Sequence, residues 1–138
     1  MAKTASLRDR IPGPGGDLAD TELFCAASFI DGERIGIDAA GHAAIAVTDP
    51  ATGAVIGSIP ALSAAESRAA VDAASAAFPG WAGLLPQERS AVLRRWFTLI
   101  ADAREDLARI MTREQGKPIS EARGEIDYAA SFVEFYAE

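Results

Sequence analysis

The fold class that this sequence predicts is α+β: short β-hairpins followed by about four helices, open rather than closed into one domain. Three observations carry that expectation. Asp31-Gly32 and the run Asp49-Pro50-Ala51-Thr52-Gly53 are hairpin turns, the apolar period changes to a helical one after Ser63, and the helix after Pro118 is apolar around an unusually wide arc.

Residues 1–19 are polar and rich in Gly and Pro, and read as a flexible arm. The Gly13-Pro14-Gly15-Gly16 stretch is not a phosphate loop, because the third glycine of the pattern would fall at Leu18 and no strand precedes it. A short helical turn is expected over residues 20–24. Residues 27–30 and 33–37 then pair around Asp31-Gly32, residue types that accept the positive φ of a tight turn. A second hairpin joins residues 43–48 to 55–59, with Pro50 fixing φ and Gly53 free to take positive φ. The hairpin region thus spans residues 27–59. Strands so short bury little and would be marginal alone.

Helices are expected over residues 63–138. Ser63 and Glu66 fit a capping box, in which each side chain satisfies the other's orphan N–H. The first helix should stop near Phe78, before Pro79-Gly80, with Ala70, Val71, Ala74 and Phe78 as its apolar face. The second starts near Pro86 and carries a stripe of Val92, Leu93, Trp96, Phe97 and Ile100. The third starts near Arg104, presents Leu107, Ile110 and Met111, and ends near Gly116. In the fourth, Ile119, Ala122, Ile126, Ala130 and Val133 form one stripe, which Phe132, Phe135 and Tyr136 widen. So broad an arc belongs between layers of a larger structure. No stop signal follows it. Glu134, Glu138 and the terminal carboxylate lie at its negative pole, so its last turn is expected to fray.

Composition narrows the partners. The 138 residues carry 20 acidic and 13 basic groups, a net charge of −7, which argues against a nucleic-acid partner. No polybasic cluster suits an anionic membrane, and no apolar run approaches the length of a membrane span. Cys25 is the only cysteine, so no disulfide framework and no Cys-based zinc site is present, and a cytoplasmic location is expected.

Few residues could carry chemistry. Cys25 has no signature around it and no evident cationic neighbour, and is expected to be a partly buried small residue. His42, the single histidine, follows Gly41 and reads as a loop residue rather than a base. Glu121 and Glu125 have the spacing of di-iron carboxylates but lack the E-x-x-H partners, and read as a solvated face. Arg104, Glu105, Arg109 and Arg113 read as exposed helix surface, and Glu114 and Lys117 as charges flanking a turn.

Five blocks stand in order along the chain: FIDGERI, TDPATGAVIGSIP, AAVDAASAAFPGW, PQERSAVLRRW and REQGKPISEARGEIDYAASFVEFYAE. Together they resemble the N-terminal part of the NAD(P)-dependent aldehyde dehydrogenases, most like those that act on succinate semialdehyde. The likeness covers residues 20–138.

That resemblance implies an α+β fragment of an α/β enzyme, truncated before the cofactor-binding and catalytic motifs, whose last helix would continue into residues that this chain lacks. The family reaction is NAD(P)-dependent oxidation of an aldehyde to a carboxylic acid through a cysteine thioester. No residue here matches the family's nucleophile, base, oxyanion donors or dinucleotide segments. The expectation is therefore no catalytic, no cofactor-binding and no metal residue, no binding of NAD or NADP, and no activity by the isolated chain. In some members a monovalent cation is held near the positions of Thr48 and Glu114, with other ligands that are absent here. The last helix borders the substrate tunnel, which places Glu125, Ala129 and Phe132 as candidates to face it, although core packing or domain contact suits each better. The expected partner is the remainder of the dehydrogenase, or a second copy through apolar helix faces. A non-catalytic module that docks on a full-length dehydrogenase or on itself is the alternative. An unrelated small α+β binding protein is a third reading.

Overall fold

The computed structural model describes residues 17–39 and 41–138. The expectation of a flexible arm falls mostly on residues 1–16, outside the described part. Two hairpins come first. Strands β1 (Ser28–Ile30) and β2 (Glu33–Ile35) pair antiparallel with Phe29 opposite Arg34. Asp31 and Gly32 both take positive φ, 52° and 82°, the twist that a two-residue turn needs.

Strands β3 (Ala44–Thr48) and β4 (Val55–Pro60) form a separate two-stranded sheet, with a bulge at Val47/Thr48. Their turn is built by Asp49. Its Oδ1 accepts from the N–H of Ala51 at 2.8 Å, and its carbonyl accepts from the N–H of Gly53 at 2.7 Å. A turn of 3-10 helix, Thr21–Leu23, precedes the hairpins and is capped by Asp20, whose Oδ1 accepts from Glu22 N–H at 2.9 Å. The Phe24 ring then lies over Gly57 of β4, where an added Cβ would stand 2.9 Å from Cζ.

Four helices follow: α1 (Ala64–Ala82), α2 (Pro86–Asp102), α3 (Arg104–Gln115) and α4 (Ile119–Ala137). The capping box at Ser63 and Glu66 is present. Helix α1 does not stop at Phe78 as expected; it runs through Pro79 to Ala82. The proline ring fixes φ at a helical value; it gives up its own N–H bond and crowds the carbonyl one turn back, while Gly83 N–H closes the next turn onto the Pro79 carbonyl at 3.0 Å. Arg89 from α2 donates to the carbonyls of Ala82 and Leu84, at 3.3 and 2.6 Å, and so satisfies the end of α1 from outside.

The packed centre lies between α3 and α4. Ala108, Ala122 and Ile126 form a buried cluster, with Ile100, Leu107, Met111 and Ile119 packed around it. Alanine on both helices lets the backbones approach closely, and α2 lies along α4 and touches α3. Of the two stripes expected on α3 and α4, Leu107 and Met111 on the first and Ile119, Ala122 and Ile126 on the second face this centre. The α2 stripe divides: Leu93, Phe97 and Ile100 are half-buried, whereas Val92 and Trp96 are exposed. Helix α1 buries nothing fully, and its Val71 and Phe78 are 67% and 64% exposed. Among the described residues the apolar elements do not close into one core.

Residues 17–19, assigned to the arm, are strapped across α3 instead. Leu18 is buried, and the Asp106 carboxylate, only 6% exposed, accepts from the N–H groups of Ala19 and Asp20 at 3.1 and 2.8 Å. The α4 terminus has partners as well. Ala137 is buried, and Arg94 on α2 donates to Glu138 Oε1 at 2.6 Å, setting a cation beside the helix's negative pole.

Two substitutions test this architecture. Gly116 ends α3 at φ 75°, where a Cβ would stand 2.9 Å from Pro50 Cγ. Gly116→Ala should therefore lower stability by about 1–2 kcal/mol from the left-handed backbone alone, read as a fall in the urea midpoint. Asp106→Ala leaves two backbone donors without their charged acceptor and should cost about 1.5–3 kcal/mol. Hydrogen exchange at Ala19 and Asp20 should then accelerate while the centre of α4 stays protected; unchanged exchange at both amides would refute the strap.

Candidate functional site

Helix α4 has two faces of opposite use. Ala122, Ile126, Ala130 and Ala137 turn inward. Glu125, Ala129, Phe132 and Tyr136 recur at steps of four, three and four residues and so share another side of the helix. That side is exposed at Ala129, Phe132 and Tyr136. Tyr128 and Phe132 meet edge to face at 4.8 Å, Phe135 and Tyr136 at 5.3 Å, and Phe135 and Tyr136 are 71% and 73% exposed. The three tunnel candidates are therefore not core residues in this structure. Glu125 is not simply solvated either, because Lys117 at the start of the helix donates to its Oε1. Glu121 is exposed.

The two turns linked to a cation meet. Gly116 abuts Pro50, so the turn after α3 sits on the turn between β3 and β4. Thr48 and Glu114 flank that contact in sequence. Among the described residues no group of three His, Cys, Asp or Glu side chains could hold a metal ion.

Cys25 is exposed rather than partly buried. The turn of 3-10 helix ends just before it, and it is the neighbouring Phe24 that packs on Gly57. No hydrogen bond joins its thiol to another described residue. His42 does lie in a loop, but it is not free: Nε2 is 2.5 Å from Glu66 Oε1, and its side chain is 9% exposed. The other oxygen of Glu66 accepts from the Ser63 hydroxyl and the Ser63 N–H, both at 2.7 Å. Histidine and cysteine are thus not a nucleophile and base pair. His42 instead fastens the segment before β3 to the capping box of α1.

Arg104, Glu105, Arg109 and Arg113 are partly exposed, but they do more than cover a helix. Arg104 grips Asp127 with two bonds of 2.5 and 2.6 Å, and Arg123 grips Glu105 with two of 2.8 Å, each joining α3 to α4. Donation from Arg123 holds the Glu105 carboxyl down to about 2, and donation from the Ser63 hydroxyl, then from its backbone, then from His42, does the same for Glu66. Asp127 is lowered by its bonds to Arg104. Sequence reading missed these partners, and it missed Asp106. An acidic residue in the first turn of a helix is ordinary, and only the strap that it holds makes it distinctive.

The comparisons with known proteins agree with this geometry. The aldehyde dehydrogenase family profile matches residues 37–138. The chain is 53% identical over 121 residues to a glutarate-semialdehyde dehydrogenase of Pseudomonas putida and 51% identical to an NADP(+) succinate-semialdehyde dehydrogenase of Escherichia coli. Each alignment covers 88% of this chain and 25% of the relative. The solved succinate-semialdehyde dehydrogenase of Burkholderia pseudomallei superposes with a TM-score of 0.82 at 47% identity, over 88% of this chain and 25% of that one. The chain belongs to the aldehyde dehydrogenase family. It spans about a quarter of the length of the relatives that it matches.

A dinucleotide does not fit the described residues. Both sheets are antiparallel hairpins, and the one passage from a strand to an α-helix, β4 to α1, has no glycine. The Glu66 carboxylate already occupies the α1 N-terminus, so negative charge stands where a pyrophosphate would sit.

The depressed carboxylates set a pH dependence. Ordinary carboxyls of 4.5 fall to about 2 in Glu66 and Glu105, so their stabilisation is complete above pH 4.5 and is lost as pH falls toward 2. Both side chains are partly exposed, so added salt should weaken the effect. Glu105→Gln should flatten the fall of stability across that window in an acid titration followed by circular dichroism. An unchanged slope would mean that the pairing with Arg123 is energetically silent.

Proposed function

We propose that this chain contributes one part of an NAD(P)-dependent semialdehyde dehydrogenase, a family whose reaction converts an aldehyde to its carboxylic acid, and that it is inactive alone. Succinate semialdehyde, or a dicarboxylic semialdehyde of similar length, is the substrate. The observation that carries this reading is identity above 50% to two semialdehyde dehydrogenases along 88% of the chain. The unpartnered faces support it as well. The exposed side of α4 and the apolar face of α1 are surfaces of the kind that need a covering layer.

In this reading the chain's own residues do not perform the chemistry. The α3–α4 pair with its ion-pair forks holds α4 rigid. The aromatic side of α4 supplies an apolar wall, and Glu125, held by Lys117, stands along it. The partner is the remaining three quarters of a dehydrogenase subunit, which covers these faces and brings the nucleophile and the dinucleotide site. The cofactor is NAD or NADP, bound by that remainder.

An activity assay tests the reading. The purified chain should show no succinate-semialdehyde oxidation with either NAD or NADP. Mixed or co-expressed with the Escherichia coli relative shortened by its aligned quarter, it should restore NADP-dependent turnover. Turnover by the chain alone that disappears in Cys25→Ala would overturn the proposal. So would a well-folded mixture that forms no complex.

A further inference from the structure

The side of α3 that carries the strap holds a cavity of about 350 Å³, lined by Asp17, Arg109, Thr112, Arg113 and Ile119. Arg109, Thr112 and Arg113 stand at i, i+3 and i+4, so they share one helix face. Each guanidinium offers five N–H donors and no acceptor. Few of these are used. Arg113 Nη2 donates to Asp17 Oδ2 at 2.9 Å, Arg109 Nη1 donates to the Asp17 carbonyl, and Arg109 Nε lies 3.3 Å from Glu105 Oε1. Glu105 is already held through both oxygens by Arg123, so Arg109 shares a carboxylate whose stronger bonds go elsewhere. Among the described residues, the lining therefore offers more donors than acceptors.

Thr112 adds a second sign of incompleteness. Its Oγ1 is buried without a hydrogen-bond partner among the described residues, although a helical threonine can bond a carbonyl of the preceding turn. Threonine in a helix populates two χ1 states, so the hydroxyl can turn toward the cavity without breaking a bond. Ile119 forms an apolar side of the cavity.

We propose that this face of α3 binds a small, doubly charged oxyanion, with Asp17 as an internal competitor. Paired arginine forks match the geometry of carboxylate and phosphate oxygens. The volume is at the small end for ligand sites and accommodates a phosphate or a short dicarboxylate with room to spare, so selection rests on the charged lining. Arg109 and Arg113 contact the oxyanion, Thr112 adds a hydroxyl donor, and Asp17 swings out when it binds. The site is separate from the exposed face of α4, so it stands or falls independently of the dehydrogenase reading.

The test is a titration of the full chain with inorganic phosphate and, separately, with succinate, at constant ionic strength set with chloride. Arginine Nε–H resonances report occupancy. Saturable shifts at Arg109 and Arg113 are expected, with acetate much weaker than either dianion. Asp17→Asn, which removes the competing charge, should tighten binding about tenfold, and Arg113→Gln should weaken it about tenfold, with Arg113→Lys between. Binding of phosphate alone assigns a tetrahedral ligand, and binding of succinate alone assigns a dicarboxylate. A linear response matched by chloride, or unchanged affinity in Asp17→Asn, overturns the proposal. Asp17→Asn alters only a largely exposed side chain, so it remains decisive if Arg113→Gln fails to fold.

Discussion

Helices α3 and α4 meet alanine on alanine, with Ala108 and Ala122 fully buried at the contact. Small side chains there permit an approach that larger ones would prevent, and the rest of the structure follows from it. That approach brings Arg104 within reach of Asp127 and Glu105 within reach of Arg123, so two arginine forks lock the same pair of helices. It also sets the direction of the Gly116 turn, which then rests on Pro50 and joins the helices to the second hairpin.

Around that centre several polar groups form joints between elements. Asp106 holds the strap, His42 and Glu66 hold the loop before β3 to α1, Arg89 closes the end of α1, and Arg94 closes the end of α4. Each is a charged or polar side chain that takes the place of water at a backbone or side-chain group of another element. Most are partly exposed, so individually they contribute little, and their common effect is to fix geometry. That is consistent with a segment whose shape matches a solved relative at a TM-score of 0.82.

Apolar surface is distributed differently. Val71 and Phe78 on α1, Val92 and Trp96 on α2, and the aromatic side of α4 stay open while the buried centre remains small. Such exposed apolar surface is of the kind that marks interaction sites. The relatives that the chain matches are about four times as long, and the proposed function assigns these faces to that additional protein.

Local physics fixed much of the architecture in advance. Asp31-Gly32 and Asp49 to Gly53 determine both hairpins, because few other residue types adopt those backbone angles. Ser63 with Glu66 starts α1, Gly116 ends α3, and the stripe from Ala122 to Ala130 selects the inward face of α4. The family was also legible, in five ordered blocks that no single turn or helix would reveal. What the sequence could not state is which distant charge meets which. Asp106 with residues 19 and 20, His42 with Glu66, and the forks joining α3 to α4 span from 18 to 87 positions along the chain. Nor did local rules foresee α1 passing through Pro79 to an end whose carbonyls an arginine from the next helix satisfies. Periodicity and turn chemistry act over a few residues and are written in the sequence; pairing across the fold depends on how closely two alanine faces pack, and only the tertiary structure decides that.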